Sequence, residues 1–416
     1  MTSAVQSDAG SEPARIIALD VLRGVGVLGI LLLNIQSFAM PSIAYVHPTT
    51  FGDLTGANRV VWHATHLLGD QKFMGIFAML FGAGVVLMTG RAEARGAQSA
   101  RLHYRRMGWL LLFGVLHAYL LWYGDILFTY GLCGLGVYLL RRQPPLRLVA
   151  LAFVLLAGAT GLLAAFGWSL AAGRWPPEAA AFVRETWDAS PAALARELAA
   201  FRGGFLAQMP VRAEEALILQ TLLLALGGLG ARATAMMLLG IALFRWRILT
   251  GERPARVYAL LAVAGLFIGL PIVELGVQQH EAHGWAVEHS LFLGTQYNVW
   301  GSVFVAVGYV GLVLLAFRVL GADHVVARPL AAAGRMAFTN YIAQSLVCTT
   351  IFYGHGVGLF GTLERTEQLV VVVAVWVAML VWSPLWLARF HMGPLEWLWR
   401  ALTYGGAPPF VRARGA

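Results

Sequence analysis

A succession of long apolar runs constrains this chain more than any single motif does. The first, Val25 to Met40, sits inside RIIALDVLRGVGVLGILLLNIQSFAMP (Arg15 to Pro41). With its flanks it can cross roughly 30 Å of hydrocarbon at 1.5 Å per helical residue. Counting such runs along the chain gives about ten helices. A residue content that is 59% hydrophobic and a mean hydropathy of +0.69 exclude a soluble globule. The expected fold is an all-α polytopic membrane helix bundle of about ten transmembrane helices, with both termini cytoplasmic.

The charge pattern assigns the sides. The net charge is +9, and Lys72 is the one lysine among 30 basic side chains. Arg91, Arg95, Arg101, Arg105 and Arg106 face a single acid, Glu93, so the stretch between the second and third runs reads as a cytoplasmic loop. The basic total therefore speaks for orientation, and no nucleic-acid partner is expected. Residues 1–15 read as a disordered cytoplasmic tail, 16–390 as the helix bundle with an extracytoplasmic helical insertion at 173–212, and 391–416 as a cytoplasmic amphipathic tail. Cys133 and Cys348 lie inside apolar runs and read as buried thiols.

Polar residues inside apolar helices mark the candidate site, because a charge at such depth faces a protein interior or a watery cavity. Asp20 and Arg23 lie one turn apart at the entrance of the first helix, where they either position a phosphate or carboxylate or pair with each other. Asn34 and His47 flank its far end; a histidine there can take a proton from a hydroxyl or amine, and an asparagine can orient it. His63, His66 and Asp70 share one helical face and line a polar cavity wall in preference to a metal site, so no metal is expected. Lys72 follows where that helix enters the membrane. His117 precedes Asp125 by eight residues, and the two meet if their helix hairpin folds them toward one cavity.

Arg232 and Glu274, both at depth in broken helices, read as an intramembrane pair. Arg335, Asn340, Tyr341, Gln344 and Ser345 form one polar face of a helix at about 331–353, which lines a cavity or joins helices. Arg91, Arg101, Arg105 and Arg106 are candidates to receive the phosphates of a cytosolic cofactor. No nucleotide loop, HExxH, GxSxG or kinase motif is present.

LDVLRGVGVLGILLLN, KFMGIFAMLFGAG, LHAYLLWYGDILFTYGL, GRMAFTNYIAQS, IFYGHGVGLFG and GPLEWLWRALTYG together resemble the YeiB-like family of bacterial inner-membrane proteins. The LDxxRG opening also resembles that of the heparan-glucosaminide acetyltransferase family, whose members pass an acetyl group from cytosolic acetyl-CoA to an amino sugar across the membrane. That second resemblance implies acyl transfer served by Asn34 and by a histidine, either His47 or one of His63, His66 and His117. The expected activity is thus transfer from acetyl-CoA or another acyl-CoA to an extracytoplasmic or membrane-embedded hydroxyl or amine of a glycan, lipid or small metabolite. The alternative is a small-molecule transporter or exporter built on the broken helices. The bilayer is the expected partner, with a homodimer as one option for assembly.

Overall fold

The computed structural model describes residues 16–225 and 228–412, with the side chains of 222–225 left aside. The expected tail at 1–15 lies outside the described residues, as do Gly227 and Arg414. Among the described residues every regular element is helical, and a single isolated bridge joins Phe390 to Val411. The helices are α1 (Ile17–Ala39), α2 (Ile43–Val46), α3 (Gly56–Leu68), α4 (Lys72–Ala94), α5 (Ser99–Leu120), α6 (Leu127–Leu140), α7 (Pro145–Ala171), α8 (Pro177–Trp187) and α9 (Pro191–Arg202). There follow α10 (Phe205–Ala225), α11 (Gly228–Arg245), α12 (Ala255–Ala282), α13 (Val287–His289), a π-helical turn over Ser290–Gly294, α14 (Thr295–Leu320), α15 (Ala327–Arg335), α16 (Ala337–Phe352), α17 (Arg365–Arg389) and α18 (Pro394–Tyr404).

Seven helical stretches are long and apolar enough to span a bilayer, among them α1, the joined α3–α4 and α17, so the chain is a multi-pass membrane protein. Burial separates their roles. In α1, 72% of the spanning window is enclosed by protein, against 17% in α7 and 22% in α17. Along α17, Val370, Val373, Val377, Val381 and Leu385 recur at helical spacing on one exposed stripe, which suits contact with lipid tails. The first helix is therefore the central post, packed by α4, α15, α16 and α17.

Three boundaries differ from those expected. The helix expected from Thr55 to Met88 is two helices: Thr65 O receives both Gly69 N–H and Asp70 N–H, and Gln71 turns the chain through φ +64° before α4 starts. The helix expected at 331–353 breaks at Met336 into α15 and α16, because Glu396 of α18 accepts the Phe338 and Thr339 N–H groups at 2.7 and 3.1 Å and so starts α16 afresh. The arginine stretch is mostly helix, with α5 beginning at Ser99 and carrying Arg101, Arg105 and Arg106.

The bundle has two chemically distinct ends. At one, Glu93 pairs with Arg141 and Arg142 at 3.0 and 3.1 Å, and Arg245 donates to the carbonyls of Arg141 and Gln143. We call this the arginine end; α1, α5 and α16 start there. At the other, α8 and α9 pack with the loop after α1, where the Ala39 carbonyl receives the Gly361 N–H. Some basic residues at that end pair with acids, as in Arg59–Glu281 and Arg184–Glu288, while Arg202, Arg212 and Arg365 donate to backbone carbonyls.

Candidate active site

A cavity of about 290 Å³ enters from the arginine end between α1, α4, α5, α6, α15, α16 and α18. Asp20, Arg23, Arg106, Arg335 and Glu396 line its mouth; Phe77, Leu80, Phe81, Leu110 and Leu127 line its body; Tyr130 and Tyr341 lie deeper. Each mouth group is held by a neighbour. Arg23 donates to Asp20 at 3.0 Å, Arg335 donates to the His391 carbonyl at 3.0 Å, and the Arg106 guanidinium stacks 4.1 Å above Trp399. The Glu396 carboxyl is pushed up by burial, opposed by its bonds from Thr339 and the backbone. Stacking on an indole leaves the in-plane N–H groups of Arg106 able to reach an anion.

Behind the floor of this cavity, three side chains from three segments converge. His117 Nδ1 lies 2.8 Å from Asp125 Oδ1, and its Nε2 lies 2.9 Å from Ser345 Oγ. The turn 121–126 makes this possible by reversing the chain between α5 and α6, so residues eight apart in sequence face each other. Asp125 Oδ2 accepts the Phe128 N–H at 2.6 Å, which anchors the carboxylate at the positive end of α6. A carboxylate can only accept from His117, so Nδ1 carries a proton, and in the neutral ring the Nε2 lone pair is free to receive the Ser345 hydroxyl. All three residues are buried. Tyr341 joins the two regions, since it lines the cavity and its ring lies 5.1 Å from that of His117.

Residues 243–406 match the family described as "Protein of unknown function (DUF418)". Over almost the whole length, the chain is 36% identical to "Uncharacterized protein YeiB" of Escherichia coli (strain K12), covering 95% of this chain and 98% of that one. It is 30% identical to "Uncharacterized protein YxaH" of Bacillus subtilis (strain 168), with 96% of each covered. The chain belongs to the YeiB-like family. A 27% identical protein from the amylase 3' region of Bacillus acidopullulyticus covers 97% of each chain. In this YeiB-like chain the segment matched to the family supplies Ser345 and the α15, α16 and α18 walls of the cavity, among them Arg335, Tyr341, Glu396 and Trp399, while the preceding helices supply its α1, α4, α5 and α6 walls and its histidine.

The other residues singled out in the sequence fall into two groups. Asn34 is half-buried on α1, eleven and four residues beyond Arg23 and Ile30 on the same stripe that lines the cavity. Arg91, Arg101 and Arg105 lie at the arginine end but outside the cavity lining, with Arg101 and Arg105 exposed. Asn340 and Gln344 also stay out of it: Asn340 bonds to the Ala333 carbonyl, Ser383 and Trp382, and Gln344 donates to the Val27 carbonyl at 2.8 Å. These two join helices. His103, by contrast, has no sequence signal beyond its residue type, yet it is fully buried in the cavity wall, with Nε2 bonded to the Gly134 carbonyl.

His47, His63, His66, Asp70 and Lys72 gather at the far end. Asp70 accepts from Tyr45 at 2.6 Å and from Asn298 at 2.7 Å, and His66 Nδ1 lies 3.3 Å away. Lys72 is fully buried and donates to Asn298 Oδ1 and the His66 carbonyl, so Asn298 bridges the lysine and the carboxylate. His63 turns away to Glu274 at 2.8 Å. The expected Arg232–Glu274 pair therefore does not form; Arg232 donates to the Gln71 carbonyl and Ser302 instead. Hydropathy places both at depth but says nothing of the direction in which each helix points them.

His47 packs against Trp187 and Trp285, with ring centroids at 4.9 and 5.3 Å. Burial holds its ring below the ordinary histidine range, with Asp188 pulling the other way. Among the described residues no group of three or more His, Cys, Asp or Glu is placed to hold a metal.

The loop carrying His47 is tied to α9 by a buried acid. Glu197 Oε1 accepts the Ser42 N–H at 2.8 Å, and burial together with nearby Glu215 pushes the Glu197 carboxyl up to about 8. The folded protein holds this proton after the unfolded chain has released it. Stability therefore falls as pH rises from about 4.5 to about 8, then levels off. Thermal unfolding in detergent across that range should show the decline, and Glu197→Gln should flatten it.

Proposed function

We propose that this YeiB-like protein is a transmembrane acyltransferase of the bacterial inner membrane. The arginine end, with 391–412, faces the cytosol by the positive-inside rule, and the insertion at 173–212 lies on the opposite side. An acyl-CoA donor enters the cavity from the arginine end, its phosphates meeting Arg106, Arg23 and Arg335 and its pantetheine arm and acyl group running along the apolar body. A cavity of about 290 Å³ is at the small end of ligand sites, so it takes the reactive end of the donor and leaves the nucleotide outside. His117 supplies the base and Asp125 fixes its tautomer. The acceptor hydroxyl or amine, on a glycan, lipid or small metabolite, approaches from the far end past Asn34 and His47. Holding both reactants in one protein supplies much of the rate.

The observation that carries this reading is the meeting of a cationic, apolar-bodied cavity with a His117–Asp125 pair through one shared side chain, Tyr341. Transport is the competing reading, favoured by the charges buried around Asp70, Lys72 and Arg232. Calorimetric titration of the purified protein with acetyl-CoA separates the two. Saturable binding is expected, weakened roughly 10- to 100-fold in Arg106→Ala, the worth of a charge-assisted bond. Absence of binding by well-folded protein would turn the assignment to transport.

A further inference from the structure

Beyond a base, the array holds a hydroxyl that the acyl-transfer reading leaves without a task. We infer that Ser345 is a nucleophile that carries the acyl group, so that transfer runs through an acyl-serine intermediate; this rests on the acyl-CoA reading for the donor but not for the reactivity of the serine. Ser345 Oγ, His117 Nε2, His117 Nδ1 and Asp125 Oδ1 are linked by contacts of 2.9 and 2.8 Å, the order and spacing that activate a serine. The Ser345 hydroxyl has a weak alternative, the Tyr341 carbonyl at 3.4 Å one turn back on α16. Among the described residues, one buried donor near the array has no acceptor: the indole N–H of Trp122, whose ring packs edge-on to His117 at 6.1 Å. An acyl oxygen that becomes an oxyanion would satisfy it.

The steps balance without a further reagent. Ser345 Oγ bonds to the thioester carbonyl carbon as its proton passes to His117 Nε2. The C–S bond then breaks, and the departing CoA sulfur takes that proton to leave as thiol. In the second half the acceptor hydroxyl or amine gives its proton to His117 Nε2 and bonds to the acyl carbon. The C–Oγ bond breaks, and Ser345 recovers the proton. The Tyr341 ring, which lines the cavity and lies 5.1 Å from that of His117, must swing aside for the acyl group to reach the serine.

The test uses full-length protein in detergent, treated in parallel with an alkyl fluorophosphonate and with acetyl-CoA, followed by intact mass and peptide mapping. A single adduct on the peptide holding Ser345 is expected, absent in Ser345→Ala and formed roughly 100-fold more slowly in Asp125→Asn. Tyr341→Ala should speed fluorophosphonate labelling by opening the path. Labelling by fluorophosphonate without acetyl-CoA binding supports the serine and removes the CoA donor. Turnover of acetyl-CoA by Ser345→Ala at the wild-type rate keeps the donor and overturns the serine. So does absence of any adduct in both wild type and Tyr341→Ala when both retain the wild-type unfolding profile.

Discussion

Asp125→Asn is expected to lower acyl transfer by roughly 10²–10⁴-fold with donor affinity unchanged. Asp125 accepts on both oxygens, from His117 Nδ1 and from the Phe128 N–H. An asparagine has one accepting oxygen and must choose. If it keeps the Phe128 bond, its NH₂ faces His117 and forces the proton onto Nε2. That nitrogen then donates toward Ser345 and can no longer take the hydroxyl proton. The substitution is nearly isosteric, so packing is retained and the defect falls on kcat. His117→Ala is the cruder test, because it strands a buried carboxylate and costs several kcal/mol of stability. Rate measurements with acetyl-CoA, together with the unfolding midpoint, distinguish a lost base from a lost fold.

Gly334→Val is expected to prevent accumulation of folded protein. A Cβ at Gly334 would lie 1.8 Å from the Asp20 carbonyl oxygen and 2.6 Å from Gly24 N, and one at Gly24 would lie 2.0 Å from the Leu330 carbonyl oxygen. Backbone stands on both sides of this crossing of α1 and α15, so no rotamer change relieves the clash. Ordinary overpacking costs about 1–3 kcal/mol, and forcing two central helices apart exceeds that, a large share of a typical folding free energy of about 5–15 kcal/mol. The same crossing sets Asp20 and Arg23 opposite Arg335 at the cavity mouth, so any protein recovered should bind donor poorly. Gly90→Ala in α4 is the control. Its Cβ meets none of the described residues within 4 Å, and alanine in a helix should be neutral or slightly stabilising. Yield of monodisperse protein and thermal midpoint read both.

What could be read in advance follows from the physics that sequence carries. The membrane helices were legible because hydrocarbon demands long uninterrupted apolar runs. The His117–Asp125 contact was legible because a short turn between two helices forces residues on its two sides to approach. Azimuth was not legible: Arg232 and Glu274 both fall within apolar runs, but each points to a different neighbour. Nor were breaks made by tertiary bonds. No proline or glycine at Met336 announces the split of α15 from α16; it is made by Glu396, some 58 residues from Phe338. Ser345 was visible as part of a polar face, but its role depends on α5 lying alongside α16, which no local pattern encodes.

On this reading the cavity below the arginine end is a donor site. It is tested most directly by determining the structure of the full-length protein with a non-hydrolysable thioether analogue of acetyl-CoA. The phosphates are expected beside Arg106, Arg23 and Arg335, the pantetheine arm between Leu80 and Leu127, and the acyl group against Tyr341. An empty cavity at saturating analogue, or analogue bound at the far end beside Asp70 and Lys72, would contradict it.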